Sequence, residues 1–130
     1  MTTKKLDSGE KGAKAGGAAS VTIYRGGVEE RTFNTTDLWL FPSAIRIEGD
    51  NEWVLLYYPS TPGPGDHEWG PDSRLRGTYN YRDDDQNSTF DVNVRLKVRA
   101  EPYQQDGSFE LRFGTELRVT GIFTADGKEE

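Results

Sequence analysis

Cysteine is missing altogether, methionine and histidine occur once each, and no long apolar run exists. Each scarcity removes a class of chemistry. Without cysteine there is no disulfide framework, no thiolate zinc site and no cysteine nucleophile. With His67 as the only histidine, the two-histidine H-E-x-x-H pattern of zinc hydrolases cannot form. No G-x-S-x-G elbow supplies a serine to complete a triad around it. No stretch approaches the roughly 18 apolar residues of a membrane-crossing helix. The first residues, Met1 to Asp7, carry lysines with no apolar segment behind them, so no classical signal peptide is expected and the address reads as cytoplasmic or non-classically exported. Acids outnumber bases, 22 against 16, for a formal charge of −6, which disfavours a general footprint on nucleic acid.

Hydrophobic residues are few at 33%, but the aromatic share is 12%, so the core is expected to rest on a few large rings. A chain of 130 residues has room for one domain. Residues 1–20 hold four Gly, four Ala and four Lys with almost nothing large and apolar, which predicts a flexible tail that cannot offset its ordering entropy. The folded domain is then expected over 21–125, with a disordered end at 126–130.

The ordered part reads as strands. Val21–Arg25 and Val28–Phe33 flank Gly26-Gly27, a pair suited to a two-residue hairpin turn, and the polar second run predicts an edge strand. Leu38–Phe41, stopped by Pro42, fits a short strand or one helical turn capped by Thr36 or Asp37. Ala44–Glu48 leads through Gly49-Asp50-Asn51 into Glu52–Tyr58. There six successive apolar or aromatic residues do not alternate, so both faces of that strand must be covered. Pro59 to Pro71, with four of the six prolines, reads as a long loop outside any ladder. Leu75–Tyr81 is the next strand. From Thr89 to Thr124 apolar residues occupy every second position in two long runs, first Phe90 to Ala100 and then Phe109 to Phe123. These predict a long C-terminal hairpin, its second strand bent at Gly114 or Gly121. No amphipathic helix of three turns occurs. The expectation is an all-β, single-domain antiparallel β-sandwich or flattened barrel of about eight strands.

Candidate chemistry is sparse. Gly65 to Asp72 sets Trp69 among Asp66, His67 and Glu68, a ring for stacking beside acids for hydroxyl hydrogen bonds, with Tyr79 and Tyr81 as further members of that ligand-binding set. The plainer reading is that Trp69 folds back to cap the core and His67 is a solvated loop residue. Asp83, Asp85 and Asn87 offer oxygens for calcium, although the spacing does not match an EF-hand loop, and the plainer reading is a hydrated acidic turn. No other cofactor or metal is expected. Trp53, Tyr57 and Tyr58, on the doubly apolar strand, are candidates for an interaction surface. Five basic residues (Arg95, Lys97, Arg99, Arg112, Arg118) face three acids on the polar side of the hairpin, a solvated wall or an anion-binding strip.

No motif assigns a family. The acidic, aromatic, cysteine-free profile is shared by several lectin-like and membrane-binding β folds. The function expected is a non-enzymatic binding module for carbohydrate or another polyhydroxylated surface, using the aromatic and acidic loop. The alternative is an assembly protein, a homo-oligomer, lipid-binding or pore-forming subunit, that uses the Trp53–Tyr58 strand or the long hairpin. Partners would be a carbohydrate or a protein surface, not nucleic acid.

Overall fold

Gly26 and Gly27, at φ 63° and 83°, turn the chain back on itself as their lack of a Cβ allows, and the strands on either side set the frame of the molecule. The computed structural model describes residues 13–71, 73–82, 84–88, 91–100 and 103–127, and for 84–88 the backbone alone. Strand β1 (Ala13–Arg25) pairs antiparallel with β2 (Val28–Thr35) across that turn. Past Thr36 the chain continues as β3 (Asp37–Phe41), which pairs with the first residues of the same β1, Ala13 to Ala15. β2 and β3 thus lie end to end along one long bent strand.

The remaining strands extend the sheet in both directions. On one side follow β4 (Ala44–Glu48), β5 (Glu52–Tyr57), β7 (Arg76–Tyr81) and β8 (Asp84–Ser88). On the other side β1 pairs with β11 (Leu117–Asp126), then β10 (Tyr103–Phe113), β9 (Val92–Ala100) and β6 (Gly65–Trp69). Among the described residues every pairing is antiparallel, and the eleven strands form one connected sheet. It curls, so that its two halves meet: a Cβ on Gly77 of β7 would lie 2.7 Å from the Leu111 side chain of β10. Among the described residues no helix is long and apolar enough to cross a membrane.

The core forms between those halves. Val21, Ile23, Ile45, Ile47, Val54, Leu56, Val92, Leu111 and Val119 are fully buried there. Two cross-strand pairs let β10 and β11 accept large rings on their inner face. Phe109 lies over its partner Gly121, and Phe123 over its partner Gly107, with hypothetical Cβ atoms 2.5 and 2.4 Å from the rings. Glycine is required there by the close approach of the ring.

The all-β expectation holds, but four local readings are corrected. The long C-terminal hairpin is a three-stranded meander, because Gly114 at φ 70° turns the chain where only a bend was expected. The described residues form eleven strands where about eight were expected. Residues 13–20 are not tail: they form the start of β1, with Ala15 and Ala19 buried. Small side chains are needed where β1 runs close to β11, since a Cβ on Gly17 (φ 108°) would lie 1.8 Å from the Thr124 carbonyl oxygen. The rest of the expected tail, 1–12, lies outside the described residues, as do 128–130; Asp126 closes β11. Finally, the proline-rich segment does join a ladder. Its prolines lie at 59, 62, 64 and 71, outside Gly65–Trp69, which pairs with β9 as an edge strand.

Candidate functional site

Converting 65–69 from loop to strand decides where its side chains go. Successive residues point to opposite faces. Asp66 and Glu68 stand on the outer face, directly opposite Lys97 and Arg95 of β9. His67 and Trp69 stand on the inner face, opposite Leu96 and Val94. Trp69 packs on the main core, and its ring stacks with Tyr58 (centroids 5.3 Å apart, 21° between planes) and with His67 (5.5 Å, 3°). His67 is half-buried, and its Nε2–H donates to the Gly63 carbonyl at 2.7 Å. The ring and the acids expected to act together are therefore separated by the sheet itself. Trp69 caps the core, and His67 braces it.

Tyr79 and Tyr81 lie elsewhere again. Tyr81 is paired with Glu52, at the far end of β5 from Tyr58. Six residues at about 3.3 Å each place the two ends roughly 20 Å apart. At the Tyr81 end a polar cluster closes the core. The Tyr79 hydroxyl donates to Glu52 Oε1 at 2.6 Å and accepts from Arg31 Nη2, which also meets Glu52 Oε1 at 2.9 Å. The Arg31 guanidinium lies 3.9 Å from the Tyr81 ring centroid, in cation–π geometry. Burial, and then the hydrogen bond to Glu52, push the Tyr79 phenol well above the ordinary tyrosine range. Sequence reasoning missed Arg31 and its contact with Glu52. They are 21 residues apart, and Arg31 sits in a charged run that looks like plain edge-strand surface.

The outer face of β6, β9, β10 and β11 is laid out in rows by the register. One row reads Asp66, Lys97, Asp106, Thr124; the next reads Glu68, Arg95, Ser108, Ile122, Ser20. Glu68 and Arg95 form an exposed ion pair at 3.0 Å, and Gln104 Nε2 donates to both Asp106 oxygens at 2.9 and 3.1 Å. Between the rows runs a trough of ≈ 430 Å³ that includes Asp66, Glu68, Arg95, Lys97, Asp106 and Ser108 in its lining. Farther along, Glu110 pairs with Arg112 at 3.0 Å and Arg118 at 3.8 Å. The basic residues of this wall are thus largely matched by acids, which argues against a simple anion strip.

The doubly apolar strand sends its two sets of side chains to two clusters. Val54, Leu56 and Tyr58 enter the main core. Trp53 and Leu55 join Ala44 in a second cluster on the opposite face, bordered by half-buried Phe41 and Tyr57. Part of the cover is the face's own long side chain, Arg46, whose guanidinium lies 5.0 Å from the Trp53 ring centroid and pairs with Glu48.

Of the calcium candidates, Asp83 lies outside the described residues, as do the side chains of Asp85 and Asn87, which pair through their backbones with β7. Among the described residues no group of three or more His, Asp and Glu side chains is placed to hold a metal ion. Comparison with known proteins gives no match to any family model, curated protein or solved structure.

Proposed function

We propose that this chain is a non-enzymatic binding module for carbohydrate or a similarly polyhydroxylated surface, with the outer face of β6, β9, β10 and β11 as its contact face. In this reading the curled sheet serves as a sandwich-like or flattened-barrel scaffold, and the trough beside Asp66 and Glu68 is the observation that carries the proposal. Carboxylates, cations and hydroxyls alternate across strands spaced about 4.8 Å apart, close to the width of a sugar ring. Held on strands, they offer donors and acceptors in fixed positions. Asp66 and Glu68 each face a cation across the strand pair, which suits hydroxyl recognition more than proton transfer.

A broad glycan array followed by titration of intrinsic tryptophan fluorescence tests the reading. The paired change Asp66→Asn with Glu68→Gln is expected to weaken binding about tenfold or more, some 1.4 kcal/mol, without altering the fold. Silence across the array would overturn it.

The second cluster favours one other reading, an assembly protein that associates through Phe41, Trp53 and Tyr57. It predicts a concentration-dependent oligomer by light scattering that Trp53→Ala dissociates. A strict monomer that also ignores liposomes would exclude it.

A further inference from the structure

We infer that the open end of the curled sheet, between β7 and the β10–β11 turn, is a separate binding site for one small, neutral, hydroxyl-bearing molecule of about hexose size. It uses a different surface from the trough above and does not depend on it.

The site is built by register. Arg25 stands opposite Leu117, and Leu117 opposite Phe113, so these three form the last row of the inner face of β1, β11 and β10. Tyr79 and Tyr81 of β7 face that row, and Glu116 belongs to the turn beside it. Together they line a cavity of ≈ 330 Å³. A volume at the low end of ligand pockets suits one ring and not a chain, and the mouth of a curled sheet is a usual place for such a pocket.

Its back wall is a rigid polar assembly. The Arg31–Glu52–Tyr79 cluster fixes the Tyr79 hydroxyl, and Arg31 holds the Tyr81 ring from one side. Arg82 lies 5.1 Å from the same ring, with its own backbone at φ 52°. No other described non-glycine residue has a positive φ, a conformation that costs energy for any residue with a Cβ and is found at turns and functional positions. A buried ion pair is weak support for stability compared with apolar packing. Its value here lies in orienting the two tyrosines toward the cavity.

The lining sets the ligand class. Phe113 and Leu117 are buried apolar residues that offer a surface to the C–H face of a ring. Arg25 uses its Nε on Glu30 at 3.3 Å and has further N–H donors in its fork. Glu116 supplies an acceptor, and Tyr81 a hydroxyl. Among the lining residues the one cation, Arg25, is already engaged by Glu30 and the one anion is Glu116, so no unpaired cation selects an acid, and the hydroxyl and apolar lining favours a neutral polyol.

The test is a titration of the 130-residue chain with glucose, galactose and mannose, and separately with glucuronate, followed by amide chemical shifts. A neutral hexose is expected to shift the amides of Tyr81, Gly114 and Thr115 saturably, with an affinity of the order of 1 mM. Arg25→Gln and Tyr81→Phe, which keep the ring and the fold, are each expected to weaken those shifts by about fivefold or more, about 1 kcal/mol. The Asp66→Asn, Glu68→Gln double variant is expected to leave them unchanged. No shift with any of the three hexoses, shifts confined to β6 and β9, unaltered affinity in both variants, or tighter binding of glucuronate would each overturn the inference. Shifts confined to β6 and β9 would do so while supporting the outer trough.

Discussion

The two ends of the core are closed by tyrosines in opposite ways. At one end the Tyr58 hydroxyl donates to Gln105 Oε1 at 3.0 Å, and Gln105 Nε2 donates to the Tyr103 hydroxyl at 2.7 Å. Trp69 lies against Tyr58 and completes the seal. Every group in that chain is neutral, so nothing charged loses its hydration. At the other end, Tyr79 binds a carboxylate and a guanidinium, and a cavity remains beside it. A neutral chain tolerates complete burial; a charged one is kept where water or a ligand can still reach it.

The sharpest way to break this contrast is Glu52→Ala, which takes the buried carboxylate from the Tyr79 hydroxyl and leaves the part-exposed Arg31 with Glu30 as its carboxylate partner, at 3.6 Å. A loss of about 3 kcal/mol is expected by chemical denaturation, from the buried Tyr79 hydroxyl and the charge-assisted bonds to Arg31 together. The joint change Arg31→Met with Glu52→Leu is expected to recover most of it; a pair as damaging as the single change would show that the charges themselves hold that end. Trp69→Ala should cost about 2–3 kcal/mol, as a half-buried ring leaving the core. A thermally neutral Trp69→Ala would mean that the ring does not seal the other end. Tyr58→Phe leaves a buried amide oxygen without its donor, for about 1–2 kcal/mol.

Alkaline pH probes both ends together. Burial raises the Tyr58 phenol far above its ordinary range, with electrostatic repulsion between its ionised form and Tyr103 adding to it, and Tyr79 is raised likewise by burial and its bond to Glu52. In the unfolded chain both ionise near pH 10. Above that pH the unfolded state releases protons that the native state keeps, so the stability these phenols contribute is full below about pH 10 and is lost as pH climbs toward their native values. Denaturation midpoints that do not fall between about pH 9.5 and about pH 11 would contradict the burial of both phenols. The smallest effect is expected at Glu68→Gln: its ion pair with Arg95 is exposed on both sides, so stability should move by no more than about 0.5 kcal/mol.

These contrasts also show what a sequence can display. The alternation of Val92, Val94, Leu96 and Val98 was legible because large apolar side chains mark the buried face, and all four are buried. The Gly26-Gly27 turn and the division of the Trp53–Tyr58 run between two faces were legible for the same kind of reason. The start of β1 was not. Its Ala, Gly and Ser residues are dictated by how closely β11 approaches, a long-range fact that leaves no hydrophobic period. The candidate site was legible only in pieces. Asp66, Glu68 and Trp69 were singled out together, but strand parity, hidden while the segment read as a loop, sends them to opposite faces. The Arg31–Glu52 contact depends on how the curl brings β2 to β5, and nothing local announces it.

The position of β1 has a kinetic consequence. Its long partner is β11, with Ala19 opposite Phe123 and Ile23 opposite Val119, so the first described strand cannot complete its ladder until the last one exists. Until then its edge stands open. Closing a loop of nearly the whole chain is entropically costly before any contact rewards it, which slows folding and leaves an interval in which β1 and β2 are exposed to other chains. Refolding should therefore be slow, with yields that fall as protein concentration rises, while among the described residues the folded sheet, once β11 is seated, presents short edge strands (β6, β8) and the bulged β2.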